Sequence, residues 1–363
     1  MINIIPQEHP LYKYRILFNG YNPINEISAR SVFLPSQVNI FDEKKVYYDD
    51  YYGRFFTGNY LNKVTMVYGG ALKDYNHGAK ISLQKVDSLR VPYRQIPVYK
   101  ANNLKEVINA VEQMKLYSPD YTFLYRGQGR IYTLEREVNE RIMLFGCDES
   151  LKEPSFLPSF LRQNLDHQKV VSAWHNVCSL LFEELSEIHK DELADYRHFE
   201  KFHLLALGLA QHYGLPSVGL DLTDDIRVAL WFAIYKATYS NQDHVKAKLV
   251  KNDEAEPTIF VFRCSPNSIF RYLDIIKGIG AHRPQNQRAY FNYCGWGLAK
   301  NQLALDLVCA FRVNASFAKE LPDEFVDHLF PEQKDDEVLR AFIRIKNIYK
   351  GTELGKMLEG IYL

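Results

Sequence analysis

Cysteine is scarce and poorly spaced for chemistry. Cys147, Cys178, Cys264, Cys294 and Cys309 stand far apart, and no two form a CxxC pair. That spacing excludes a zinc-finger ligand set, and an odd number of scattered thiols predicts free, buried cysteines in a reducing, cytoplasmic setting. Excess charge of either sign is missing as well, with 44 basic and 44 acidic residues. No global field draws in nucleic acid or an anionic membrane, so nucleic acid is left with a local patch at most. No apolar run reaches the length of a membrane span, and the opening MINIIPQEHPLYKYR lacks the basic start and apolar stretch of a signal peptide. A soluble chain without a membrane partner is the expectation. HExxH, GxSxG and GxxxxGK[ST] are absent too, which leaves zinc-protease, serine-hydrolase and P-loop chemistry without their residues. No metal site is expected.

Aromatic residues are what the chain has in plenty, at 14% with 25 Tyr and 22 Phe, a content that suits recognition surfaces. A length of 363 residues and 47% hydrophobic content predict a globular chain of one large and one smaller domain. Residues 1–100 alternate in short runs, at 12–18 (YKYRILF), 29–35 (ARSVFLP), 62–70 (NKVTMVYGG) and 79–86 (AKISLQKV). Asn19-Gly20, Tyr52-Gly53 and His77-Gly78 punctuate them. This pattern predicts a small, mostly-β N-terminal region, whose tyrosines are a candidate surface for a protein partner. The stretch 91–100 carries two prolines and reads as the junction to a second domain, 101–363.

From Asn103 the period becomes helical, with Leu104, Val107, Ile108 and Val111 behind an Asn cap. Residues 121–125 then read as a short strand ending at Arg126-Gly127. Val171, Trp174, Val177, Leu180, Leu181 and Leu185 predict a helix of four or more turns. A second helix, 198–213, stops at Gly214 with Pro216 just beyond. A third is expected from Thr223 as N-cap, with Asp224 and Asp225 in its first turn, running on through 226–237. Residues 246–256 read as a charged loop, 258–264 and 310–313 as apolar strands, and 331–351 as an amphipathic tail helix. The fold class expected is α+β, a central sheet flanked by helices behind the β-rich region.

Polar residues gather at the ends of these apolar elements, where they are costly unless they serve a site or an internal network. Arg126 carries a planar, permanently charged fork suited to phosphate or carboxylate, with Gly127 beside it allowing close backbone approach. The alternative is an internal salt bridge, for which Asp221 is the partner to name. Gln211 and His212 sit on a helix's last turn, where His212 serves either a site or the terminal carbonyls. Asp221 and Thr223 share one strand face while Leu220 and Leu222 take the other. Arg283 and Gln287 project from a Pro-broken segment, 281–291, read as a loop entering a strand.

Tyr125-Arg126-Gly127-Gln128, then Gln211-His212-Tyr213-Gly214-Leu215-Pro216, Leu220-Asp221-Leu222-Thr223, and Arg283-Pro284 with Gln287 occur in an order that resembles the FRG domain, a bacterial module, over about 100–345. The chain departs from that pattern at Ser217-Val218-Gly219. An Arg in a Tyr-Arg-Gly setting is also similar to the first motif of Arg-class mono-ADP-ribosyltransferases. There the Arg holds NAD phosphates, and a late Glu stabilises the oxocarbenium; here Gln287 stands in that place.

The resemblance implies an NAD- or nucleotide-handling enzyme of toxin or phage-defence type, or else a non-catalytic module that binds a nucleotide or a partner. In the enzyme reading Arg126, His212, Asp221 and Gln287 are the catalytic candidates. Tyr125, Gly127, Gln128, Gln211, Tyr213, Thr223 and Arg283 are the ligand-binding ones. A small nucleotide is the implied ligand; no cofactor is required, and NAD would enter as substrate.

Overall fold

The computed structural model describes residues 2–4, 46–49, 55–57, 73–74, 78–91, 94–119, 121–145, 149–162, 167–191, 193, 208–217, 219–239, 245–250, 256–264, 270–271, 277–293 and 301–358. The strands expected at 12–18, 29–35 and 62–70, the turns at Asn19-Gly20 and Tyr52-Gly53, and residues 198–207 of the second helix lie outside them.

Strands β1 (Ile2–Ile4), β2 (Val46–Asp49) and β3 (Phe55–Thr57) form a small antiparallel sheet. The next three, β4 (Lys73–Asp74), β5 (Lys85–Val91) and β6 (Arg94–Lys100), join a different sheet of nine strands. The strand expected from 79 begins only at Lys85. The junction expected at 91–100 is largely β6. Pro97 is tolerated because pairing to the neighbouring Leu307–Arg312 strand starts one residue later, at Val98, so no donor is missed there.

Helix α1 (Leu104–Leu116) starts where its cap predicts: the Asn103 side chain accepts from the Glu106 N–H at 2.9 Å. Leu104, Val107, Ala110, Val111 and Met114 are buried along its length. Then come β7 (Thr122–Gln128), β8 (Thr133–Leu134), α2 (Val138–Phe145), β9 (Glu153–Pro154), α3 (Ser159–Arg162) and α4 (His167–Ile188). Residues 208–212 are helical, and Gly214 closes that segment at φ 100°, a conformation glycine adopts freely.

Strand β10 (Gly219–Thr223) leads into α5 (Ile226–Ile234), whose N-cap is Asp225 and not Thr223. The Asp225 carboxylate accepts from the Arg227 N–H at 2.9 Å, and Thr223 ends the strand with its hydroxyl committed elsewhere. Nor does the helix reach residue 237. Strands β11 (Tyr235–Tyr239) and β12 (Val245–Leu249) form a hairpin across what was expected to be helix end and charged loop. On β11, Tyr235 and Ala237 pack on the core while Lys236 and Thr238 are exposed, an alternation of period two; on β12 Val245 packs there and residues 246–249 are exposed.

The remaining elements are β13 (Thr258–Cys264), β14 (Phe270–Arg271), α6 (His282–Asn286), β15 (Ala289–Tyr293), β16 (Leu307–Arg312), α7 (Phe325–Leu329), α8 (Glu337–Ile348) and α9 (Glu353–Leu358). The segment expected as a loop at 281–291 is mostly α6 and β15; Pro284 is accommodated in the first turn, where its missing N–H costs nothing.

The large sheet runs β14-β15-β10-β7-β13-β16-β6-β4, with β5 beside β6. Strand β6 lies parallel to β16 and β4, and the other pairs are antiparallel, so the sheet is mixed and the class is α+β. Helices cover it. Along β13, Ile259 and Val261 join the cluster under α1 and α5, while Phe260 and Phe262 face the opposite cluster. Phe156 meets both phenylalanines edge-on, at centroid distances of 5.0 and 5.1 Å, each contact adding about 0.5–1.5 kcal/mol beyond burial. Burial on both faces explains the unbroken apolar run of this strand. Among the described residues no helix is long and apolar enough to cross a membrane.

Burial raises the thiols of Cys178 and Cys309 and the phenol of Tyr213 above their ordinary ranges. Unfolded, the thiols release protons near about pH 8.5 and the phenol near about 10, while the folded chain keeps them. Stability is therefore full below about pH 8 and falls as pH rises, by up to about 1.4 kcal/mol per pH unit for each group. A urea midpoint markedly lower at about pH 10.5 than at about pH 8 is expected. An unchanged midpoint would contradict the burial of these three groups.

Candidate functional site

Strand β7 is held by β13 along seven residues, and β10 by β15 along five. Between them β7 and β10 share one registered pair, Thr223 opposite Tyr125, and then part. Parting leaves carbonyls without ladder partners. Arg126 bridges the opening: its Nη1 donates to the main-chain oxygen of Asp221 at 2.6 Å. The sequence reading ended the strand before Arg126. Strand β7 instead continues to Gln128, so Arg126 acts from within a strand at the point where its neighbour diverges.

Gly127 is fixed by packing. A Cβ there would lie 1.7 Å from the carbonyl oxygen of Ala229, so α5 rests directly on the strand backbone. Around this contact lies a cavity of about 160 Å³. Its polar wall is Arg126, His212, Asp221, Thr223 and Gln287, and its apolar wall includes Val228, Ala229, Phe232 and Ala289. Tyr125, Gly127 and Leu222 complete the lining.

The polar wall is tightly wired. Gln287 is buried; its Nε2 donates to the Leu329 carbonyl at 3.0 Å, and its Oε1 lies 3.1 Å from His212 Nδ1. The Gln287 main-chain oxygen accepts from the Thr223 hydroxyl at 2.8 Å, and that hydroxyl accepts in turn from the Asp225 N–H. The His212 side chain is 2% exposed and the Asp221 side chain 29%, with Nε2 and Oδ1 3.4 Å apart. That separation is within ion-pair reach but misaligned for a hydrogen bond, and neither atom has another hydrogen-bond partner among the described residues. Burial raises the Tyr125 phenol, so the ring edge here is neutral.

Of the residues singled out from sequence, Tyr125, Arg126, Gly127, His212, Asp221, Thr223 and Gln287 line this one cavity. Gln128, at the end of β7, and Gln211 are not in its lining. Tyr213 and Arg283 are placed behind it, in a buried network around Asp336. There the Tyr213 hydroxyl donates to both Asp336 oxygens at 2.8 Å, and the Arg283 N–H donates to Oδ2 at 2.9 Å. The Arg283 guanidinium lies 4.8 Å over the Tyr213 ring and donates to the His212 carbonyl at 3.0 Å. These two residues support His212 from outside the cavity.

Sequence reasoning missed the apolar wall from α5 and the whole Asp336 network. Gly127 carried a signal for the first, since a glycine inside a strand marks close backbone approach. Asp336, followed by an apolar-periodic run, carried a cap signal for the second.

Among the described residues no group of three or more His, Cys, Asp or Glu side chains is placed to hold a metal ion. Compared with known proteins, residues 121–242 match the family model of the FRG domain, so the chain carries that domain. No curated protein and no solved structure matches. Gln287 and Ala289 are the two cavity residues beyond the matched segment.

Proposed function

We propose that this FRG-domain chain handles a nucleotide-type ligand in the cavity between β7 and β10, as an NAD-processing or ADP-ribosyltransferase-like enzyme of toxin or phage-defence kind. The observation that carries this reading is that Arg126, His212 and Asp221, drawn from distant parts of the chain, meet at one cavity. Arg126 supplies a fixed cation for an anionic group. Asp221 supplies a carboxylate able to face developing positive charge, a role Gln287 cannot take with both amide atoms engaged inside the protein. Phe232 and the Tyr125 edge offer apolar surface to a ring. At about 160 Å³ the cavity is near the roughly 150 Å³ known to admit a single benzene ring. It takes one ring or one phosphate-sized group, and the rest of a dinucleotide would lie outside.

A second reading, a binding module without turnover, is favoured by the occupied Gln287, which leaves Asp221 as the sole carboxylate in the lining among the described residues. Titration calorimetry with ADP-ribose and NAD tests the site. The wild type is expected to bind, and Arg126→Ala to bind roughly 10- to 100-fold more weakly with its far-ultraviolet dichroism unchanged, as expected for one lost charged hydrogen bond. No heat from the wild type with either compound sinks the nucleotide reading. Chromatographic detection of released nicotinamide then separates enzyme from binder.

A further inference from the structure

The hairpin of β11 and β12 carries a basic face that plays no part in core packing. Its register sets Lys236 opposite Lys248 and Thr238 opposite Lys246. Directly opposed residues of an antiparallel pair point to the same side, and side chains alternate along each strand, so these four share one face. All four are exposed, while Tyr235, Ala237 and Val245, on the other face, pack on the core. The Thr238 hydroxyl is committed to the ribbon itself, donating to the Lys246 carbonyl at 3.0 Å. Neither strand contains an acidic residue. The face thus shows solvent three ammonium groups, on stems rooted within about 8 Å of one another.

Like charges set opposite one another cost stability, and a carboxylate close by would relieve the cost. Other lysines have one: Lys115, Lys152 and Lys334 hold carboxylates at 2.7, 2.7 and 2.9 Å. Lys236, Lys246 and Lys248 hold none among the described residues, although Asp323, Glu324 and Asp327 are exposed on or just before α7, which packs on β12. A chain with 44 basic and 44 acidic residues therefore keeps one concentrated patch of positive charge.

We propose that this ribbon face binds duplex DNA through its phosphates, without reading base sequence. Close-set cations with no counter-charge complement a regular row of anions, and duplex DNA carries one negative charge per about 1.7 Å of its axis. A two-stranded ribbon is also a shape that the major groove admits. A single strand calls for aromatic rings on which its bases stack, and this face has none. A membrane surface calls for apolar side chains that enter it beside the lysines, whereas Ala247 and Leu249 belong to the opposite face. The competing account is that these lysines only discourage edge-to-edge association of an exposed ribbon. The proposal does not rest on the nucleotide reading of the cavity.

Fluorescence anisotropy of a labelled, arbitrary-sequence duplex of about 20 base pairs with the full chain tests it. Three phosphate contacts predict a slope of log affinity against log salt of about −2.7, or about a 40-fold loss between about 50 and 200 mM salt. The triple variant Lys236→Gln, Lys246→Gln, Lys248→Gln is expected to lose about tenfold or more at about 50 mM salt and most of the slope, with its circular dichroism unchanged. A control triple, Lys80→Gln, Lys105→Gln, Lys350→Gln, removes the same charge from exposed positions elsewhere and should bind within about twofold of wild type. No binding by the wild type at that salt, or affinity that salt does not change, overturns the proposal. So does equal loss in both triples. Tighter binding to oligo(dT), or to vesicles of equal parts phosphatidylserine and phosphatidylcholine, overturns it in favour of that partner. A ribbon variant that binds DNA like wild type but self-associates in sedimentation assigns the lysines to guarding the edge, and overturns it as well.

Discussion

Replacing Asp336 by alanine is expected to remove about 3–5 kcal/mol of unfolding free energy, against a total of about 5–15 kcal/mol for a typical domain. Asp336 is fully buried and accepts from three donors: the single Tyr213 hydroxyl hydrogen, whose oxygen lies 2.8 Å from both carboxylate oxygens, and the Arg283 and Leu339 N–H groups. It is also the N-cap of α8, a role worth about 0.5–2 kcal/mol on its own. Alanine strands these donors inside the protein, each at a desolvation cost of about 1–3 kcal/mol, partly relieved by relaxation. Asp336→Asn keeps one acceptor and should lose less. Urea unfolding followed by circular dichroism measures both. An Asp336→Ala midpoint within about 0.5 kcal/mol of wild type would mean that water or a shifted side chain satisfies these donors. Because Arg283 ties this network to the His212 carbonyl, the variant should also bind ADP-ribose more weakly than its stability loss alone explains.

Gly127→Ala is the second large effect. The added methyl would sit 1.7 Å from the Ala229 oxygen and 2.6 Å from the Ala233 nitrogen, both main-chain atoms of α5 that no rotamer change can move aside. Helix and strand must separate, at a cost of about 1–3 kcal/mol or more. Since Ala229 and Phe232 form the cavity's apolar wall, loss of ligand binding should accompany the loss of stability. Gly129, two residues on, is the internal control. A Cβ there meets nothing nearer than 3.8 Å, so Gly129→Ala is expected to stay within about 0.5 kcal/mol of wild type. Equal behaviour of the two variants in thermal melts would refute the packing account of the Arg126-Gly127 pair.

The fold class and several elements were legible because their signals are local. Asn103 announces α1 by a side-chain bond to its own third residue, and β13 announces itself by an apolar run that two buried faces require. What failed depended on strand pairing, which composition does not register. Residues 235–249 have a composition that suits a helix and a charged loop, and only pairing with each other makes them a hairpin. The two prolines of 91–100 suggested a junction, and pairing with β5 along its length and with β16 from Val98 onward makes it a strand. At the site, Arg126, His212 and Asp221 stood out as polar residues at the ends of apolar elements, and Gln287 as part of a Pro-broken segment, which are local properties. Their wiring was not legible. Arg126 holds a main-chain carbonyl that is exposed because two strands diverge, and sequence periodicity does not register divergence.

Strand β6 has a further consequence for handling the molecule. It lies beside β16, more than two hundred residues later, and screens that strand's outer edge. A recombinant fragment trimmed to begin at residue 101 would shed β4, β5 and β6 together and bare the Leu307–Arg312 ladder, a row of open donors and acceptors prone to self-association. The segment matched by the family model is thus one stretch of a larger sheet, and working versions of this protein should keep the residues from Lys73 onward.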